Sequence, residues 1–281
     1  LAVIEIKNLT YTYPGASKPS IQDVTMKVEK GEFVLITGPS GCGKTTLCRC
    51  FNGLVPHFYQ GEIKGEVTVA GVNTLEHHTY EMAKHVGMVF QNPENQLFAL
   101  SIEKDVAFGL ENIGTSKAEM RQKVDWALKQ TDIYDIRERS PHEISGGQQQ
   151  RVAIASVLAM EPDIIVLDEP TSFLDPLSAE KIFEVIYRLN KEQGITVILV
   201  EHRLDLTAKY TDHLVVMDKG SVRLEGDPRQ ILSNEETRLI GVGIPKATLL
   251  YQQLKKEGLP LGDRTPLSSE ELVAQLQEAL K

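Results

Sequence analysis

The stretch Gly38-Pro39-Ser40-Gly41-Cys42-Gly43-Lys44-Thr45-Thr46 decides the fold. It follows the apolar run Phe33-Val34-Leu35-Ile36 and precedes a segment of helical character, so the order is strand, glycine-rich turn, helix. Glycines at 38, 41 and 43 let the backbone wrap tightly enough for successive N–H groups and a helix N-terminus to face phosphate oxygens. Lys44 is then placed against the β- and γ-phosphates, and the hydroxyl of Thr45 suits Mg²⁺. The stretch reads as the cradle of a nucleoside triphosphate.

Upstream, residues 3–9 alternate as a strand, 10–15 enter a turn, and 21–28 alternate again before Lys30-Gly31. These short strands imply a small antiparallel sheet beside the main core. Tyr13 lies at a strand end, where a ring can stack on a base or simply pack. Downstream, 45–52 continue as helix, 61–69 read as strands joined by a glycine turn, and 102–131 read as one helical region. Residues 86–90 form a buried strand that delivers Gln91, whose carbonyl can reach a cation or an attacking water, or merely cap a turn.

Ser145-Gly146-Gly147-Gln148 opens a further helix and is open to two readings: a second anion-facing helix start, or an ordinary serine cap. Residues 164–167 are continuously apolar, the pattern of a parallel strand covered on both faces, and end at Asp168-Glu169. Acids at the carboxyl end of a central strand lie where α/β folds place chemistry. Adjacent side chains on extended backbone point apart, so the two should have separate tasks: Asp168 for Mg²⁺, Glu169 for the attacking water. Asp175 follows in a tight connection. A helix over 179–190 leads to a buried strand over 196–200, which presents Glu201-His202. His202 can donate to a phosphate oxygen or cap the strand. Strands over 214–217 and 222–224 come next. From about Pro228 the texture becomes helical: one helix over 247–256 with Leu249, Leu250 and Leu254 as buried positions, and another capped by Ser268 or Ser269 with Leu272, Val273, Leu276 and Leu280 as its apolar stripe.

The 281 residues hold one large domain, or a large one with a small appendage. No apolar run approaches the roughly 18 to 20 residues that cross a bilayer, and the amino end lacks the pattern of a secretory signal. A membrane role is expected to act through a partner. The formal charge of −9 weighs against a general nucleic-acid coat. Cys42, Cys48 and Cys50 lack zinc-site spacing and read as free thiols. The chain opens with Leu1 rather than Met, which leaves a longer parent polypeptide open.

Taken together, these motifs resemble those of the ATP-binding cassette (ABC) ATPases across about residues 3–228. Gly38 to Thr45 match the Walker A loop, Gln91 the glutamine loop, Ser145-Gly146-Gly147-Gln148 the signature, and 164–169 the Walker B strand with its catalytic glutamate. Asp175 matches the D-loop aspartate, His202 the switch histidine and Tyr13 the adenine-stacking aromatic; Ile144 stands where the family usually has leucine. The resemblance implies an α/β P-loop NTPase core of the ABC type, with an antiparallel β subdomain, a helical subdomain at about 92–160, and a small helical appendage over 229–281 beyond an ATPase domain at 1–228. It implies ATP and Mg²⁺ as cofactors. Glu169, His202, Gln91 and Lys44 become catalytic, and Thr45, Gln91 and Asp168 metal-binding. ATP contacts fall to Tyr13, Gly38, Pro39, Ser40, Gly41, Cys42, Gly43, Lys44, Thr45 and Thr46 on one side. Ser145, Gly146, Gly147, Gln148 and Asp175 would come from a second cassette packed head to tail. The run Phe90-Gln91-Asn92-Pro93-Glu94-Asn95-Gln96-Leu97-Phe98 and the carboxyl-terminal appendage resemble the ATPases of energy-coupling-factor and cobalt or nickel importers. That implies an integral membrane partner, a separate substrate-capturing membrane protein, a peripheral place on the cytoplasmic face of the cell membrane, and no nucleic-acid partner. A soluble ABC ATPase of nucleic-acid repair, chromosome organisation or translation is the alternative.

Overall fold

The computed structural model describes residues 1–279; Leu280, expected on the last helix's apolar stripe, and Lys281 lie outside the described residues. Ten strands form two sheets: β1 (Ala2–Thr12), β2 (Ile21–Glu29), β3 (Phe33–Thr37), β4 (Glu62–Val69), β5 (Val72–Asn73), β6 (Val86–Val89), β7 (Ile164–Asp168), β8 (Thr196–Val200), β9 (His213–Asp218) and β10 (Ser221–Gly226). The smaller sheet is antiparallel, in the order β2-β1-β4-β5. The larger runs β10-β9-β3-β8-β7-β6, parallel from β9 to β6, with β10 closing an antiparallel hairpin at one edge.

The central strands are buried along their whole length because alternate side chains enter two different cores. Phe33, Leu35, Ile165, Leu167, Val197 and Leu199 face one side. There they meet Val106, Val124, Ile154 and Phe183 from the helices Ile102–Asn112, Lys117–Gln130, Gly146–Leu158 and Pro176–Gln193. Val34, Ile36, Val166, Ile198 and Val200 face the other side, against Leu47 and Phe51 of the phosphate-loop helix Lys44–Phe51 and the inner face of the smaller sheet. Cys42, Cys48 and Cys50 are buried, and none is bonded to another.

Three expectations need correction. Residues 61–69 contain no turn between strands: β4 is continuous, and Gly65 (φ +92°) sits opposite a register shift between Lys7 and Thr10 of β1. Added at that glycine, a Cβ would lie 2.5 Å from the Asn8 and Lys7 carbonyl oxygens, so it marks a bulge. The region 102–131 is two helices, because Ser116 accepts the Glu119 N–H and starts the second one anew. In the helix Lys246–Lys256 the buried side chains are Ala247, Thr248 and Tyr251, while Leu249 and Leu250 are 41% and 49% exposed.

The last correction follows from which helix face docks. Tyr251 points into a small core with Leu261 and Leu272, and its hydroxyl donates to the Gly262 carbonyl at 2.6 Å. Leu254 and Leu276 pack at the margin; Val273 is exposed. Ser268, rather than Ser269, caps the last helix, Ser269–Ala279, accepting the Glu271 N–H at 3.3 Å. Arg229 holds that helix to the rest of the chain, donating to both carboxylate oxygens of Glu271 at 2.6 and 2.8 Å. Tyr251→Ala should therefore cost about 3 kcal/mol or more, and Leu250→Ser under about 0.5 kcal/mol. Denaturant unfolding of the two variants checks this; equal losses would remove Tyr251 from the centre of this core.

Candidate functional site

Parallel strands end together, and here four adjacent ones deliver the polar residues to one edge. The register aligns them: Val89 pairs with Leu167, and Asp168 with Val200. Gln91, Glu169 and His202 each lie two residues beyond one of these positions, so they leave the sheet at nearly the same level.

The phosphate loop follows β3. At Gly38 (φ +146°) a Cβ would lie 2.1 Å from the Met217 carbonyl oxygen, so only glycine lets the loop pass β9 this closely. Lys44 is buried, and its ammonium donates to the Gly38 and Pro39 carbonyls at 2.9 and 3.0 Å, at the mouth of the phosphate-loop helix. Pro39, Ser40, Gly41, Cys42 and Gly43 complete the wrap. Thr45 Oγ1 donates to Asp168 Oδ1 at 3.1 Å, which joins the helix to the end of β7. Burial pushes the Asp168 carboxyl up from its ordinary range; the Thr45 hydroxyl and the charges of Arg49 and Lys44 oppose this, and Glu169 adds to it.

Glu169 does not continue the strand. Its φ is +50°, in the left-handed region that costs a non-glycine residue of order 1 kcal/mol. The backbone is held there by its N–H, which donates to the Val200 carbonyl at 3.0 Å. Asp168 and Glu169 do part, as their sequence suggested, but a sharp turn separates them rather than extended alternation. The carboxylate of Glu169 meets three groups: Gln91 Nε2 donates to Oε2 at 3.0 Å, Ser172 Oγ donates to the same oxygen at 3.1 Å, and His202 Nε2 lies 3.1 Å from Oε1.

Besides Ser172, two supporting residues were not singled out from sequence. Glu201 is buried, accepts the His202 N–H at 2.8 Å and takes a hydrogen bond from the Thr171 hydroxyl, so it fixes the histidine's backbone to the turn after Glu169. Its place before His202 at a strand end was the available signal. Gln96 accepts the Phe90 N–H at 2.9 Å and donates to the Met88 carbonyl at 3.3 Å, anchoring the segment that carries Gln91. Nothing local in the sequence marks that role.

Ser145 and Gln148 cap each other: Gln148 N donates to Ser145 Oγ at 3.4 Å and Ser145 N donates to Gln148 Oε1 at 3.0 Å. Both readings of this stretch survive, since the capped helix start leaves Ser145 and Gly146 exposed. A Cβ on Gly147 would lie 3.3 Å from Ser178 Cβ, so this start packs against the next helix's first turn, where Asp175 accepts the Ser178 N–H at 3.0 Å. Tyr13 projects beside the phosphate-loop helix, its hydroxyl 3.3 Å from Thr46 Oγ1.

The donor set fits a hard cation held jointly with a phosphate. Thr45, Asp168 and Gln91 offer oxygens, whereas among the described residues no cluster of three or more His, Cys, Asp or Glu side chains stands ready to hold a metal alone. Mg²⁺ is commonly bound in this way, through one or two protein oxygens together with phosphate and water.

Comparison with known proteins identifies the family of the chain. The model of the ABC transporter family matches residues 21–172, more than half of the chain. The energy-coupling factor transporter ATP-binding protein EcfA1 of Caldanaerobacter subterraneus is 41% identical over 264 residues, covering 92% of this chain and 93% of its own. Among solved structures, cbiO1 of Clostridium perfringens, part of the ABC transporter complex cbiONQ, superposes with a TM-score of 0.77 at 33% identity over 89% of this chain and 99% of its own. The bacterial ABC transporter cassette MJ0796, solved as a dimer, gives 0.69 at 32% identity over 80% and 99%. Likeness of this breadth, over a fold whose strand ends gather the polar chemistry, places the chain in the ABC transporter family as an ATP-hydrolysing cassette related to the energy-coupling factor ATPases.

Proposed function

We propose that the chain is the motor of an energy-coupling-factor type importer for a vitamin or a transition-metal ion, peripheral on the cytoplasmic face of the cell membrane. The observation that carries this reading is an apolar cleft of about 330 Å³ continuous with the Gln91 segment. Phe90, Leu97, Phe98, Phe108 and Met160 line it, and Phe98 is 62% exposed. A helix of an integral membrane subunit suits such a cleft, and movement there reaches Glu169 through Gln91. The relatedness to EcfA1 and to a member of the cbiONQ complex supports the type of transporter. A separate membrane protein would capture the substrate.

In this reading residues 1–228 are the ATPase domain, with its helical subdomain at about 92–160, and 229–281 are an appendage. The phosphate loop from Gly38 to Thr46, with Lys44 among its groups, binds the triphosphate, and Tyr13 stacks on the base. Glu169 orients and deprotonates the attacking water, while His202 and Gln91 hold the carboxylate in place until substrate engages them. Thr45, Asp168 and Gln91 would hold Mg²⁺, which neutralises charge on the phosphates when bound. Ser145, Gly146, Gly147, Gln148 and Asp175 serve the nucleotide of a second cassette, the same chain or a related one. Phe173 and Leu177 are exposed on either side of Asp175, apolar surface suited to such a contact, and the dimeric cassette MJ0796 supports the assembly.

Co-purification tests the transport reading. Recovery of a polytopic membrane protein that raises ATP turnover is expected; exclusive recovery of nucleic acid or ribosomes would reject it. Within the site, Glu169→Gln should keep ATP affinity within about threefold and cut single-turnover hydrolysis at least 100-fold, on the scale of general-base catalysis. Lys44→Ala should instead weaken ATP binding itself, by about tenfold or more, through loss of a charged phosphate contact. Near-normal hydrolysis by Glu169→Gln would remove the base assignment.

A further inference from the structure

The phosphate-loop helix carries an arginine that the functional reading leaves unused. Arg49 lies one turn beyond Thr45, and among the described residues its one hydrogen bond is to Tyr13, where Nη1 donates to the phenol oxygen at 3.1 Å. Its guanidinium carbon sits 4.4 Å from the centre of the Tyr59 ring, and its Nε is buried without a partner. Among the described residues no carboxylate is bonded to Arg49: its charge reaches Asp168 only through space, while its direct contacts are with two tyrosines.

The tyrosine cluster shows what that geometry fixes. A guanidinium can only donate, so the Tyr13 oxygen accepts from Arg49 and its proton is free to point to Thr46 Oγ1, 3.3 Å away. Both partners belong to the phosphate-loop helix. The ring itself makes edge-on contacts with Tyr11, at 4.8 Å and 78°, and with Tyr59, at 5.9 Å and 88°. Tyr11 is fully buried and its hydroxyl donates to the Gln60 carbonyl, so it does not move with Tyr13. Arg49 at the same time packs on Tyr59, which fixes the second neighbour.

We infer that Arg49 is a positioning residue for base recognition: it sets the Tyr13 ring at a fixed distance from the phosphate cradle by tethering both to one helix. The inference rests on the reading that Tyr13 stacks on the nucleotide base. One rigid element then measures the nucleotide at both ends, with Lys44 and Thr45 at the phosphates and Arg49 and Thr46 behind the base platform. A ring held in advance loses less freedom on binding, so its stacking contributes more to affinity.

The test uses the full chain and compares binding of ATP with that of inorganic tripolyphosphate, which has no base. Tyr13→Ala should weaken ATP about tenfold and leave tripolyphosphate unchanged, in the range of one base–aromatic stack. Arg49→Gln should show the same split, Arg49→Lys an intermediate one, and Tyr13→Phe, which keeps the ring but frees it from Arg49 and Thr46, a loss of about threefold to tenfold for ATP alone. Arg49→Gln should add nothing in the Tyr13→Ala background. If Tyr13→Ala shows the split and Arg49→Gln weakens both ligands equally, Arg49 acts on the phosphate cradle or on Asp168, and the inference is wrong. It is equally wrong if Arg49→Gln and Tyr13→Phe bind ATP as tightly as the parent. If Tyr13→Ala itself leaves ATP unchanged, the stacking reading fails first and takes the inference with it.

Discussion

The Glu169 carboxylate is the contact on which the site's organisation depends. A backbone turn of positive φ takes it off the end of β7, and three segments then converge on its two oxygens: the Gln91 loop, the Ser172 turn and the end of β8 through His202. Together these hydrogen bonds tie the left-handed turn at Glu169 to the two loops that carry Gln91 and His202. In the proposed reading, the same bonds occupy the oxygens that act on water. Any rearrangement that frees the Glu169 carboxylate also breaks its bond to Gln91, next to the segment that Gln96 anchors beside the apolar cleft.

That convergence is a consequence of register rather than of local sequence. The pairings of Val89 with Leu167 and of Asp168 with Val200 bring residues far apart in the chain to one level. Slipping a strand by one residue would exchange its two cores and send its terminal residue to the opposite face. The split of the central strands between two buried clusters forbids that slip. Packing of the sheet thus sets the distances among Gln91, Glu169 and His202, and Glu201 and Gln96 fasten the loops beyond the sheet, each by two hydrogen bonds.

Much of this was legible in the sequence because it rests on short-range rules. The glycine spacing of 38–46 and the apolar runs before Asp168 and Glu201 pointed to the loop, the central strands and the edge where polar residues gather. What the sequence left hidden depends on contacts between distant segments. Gly65 looks like a turn until Lys7 and Asn8 are placed beside it. Leu249 and Leu250 are more apolar than Tyr251, yet the docked face of their helix is decided by Leu261 and Leu272. Arg49 gives no local sign of its task, since Tyr13 and Tyr59 reach it only in the folded chain. Asp175 and the Ser145 helix start are legible as motifs, and within the chain they make only local caps; the proposed reading gives them a second molecule to face.

A shared site is the account's central claim, and a covalently linked pair of cassettes addresses it most directly. One subunit carries Gly147→Phe and the other Glu169→Gln, and hydrolysis is resolved at each nucleotide. With sites built from two subunits, both defects fall on one site and the other stays intact, so turnover persists there. Placing both changes in one subunit damages each site once and abolishes turnover at both. The opposite pattern, in which the same-subunit pair keeps an active site and the split pair loses both, would mean that each chain completes its own site and would contradict the account.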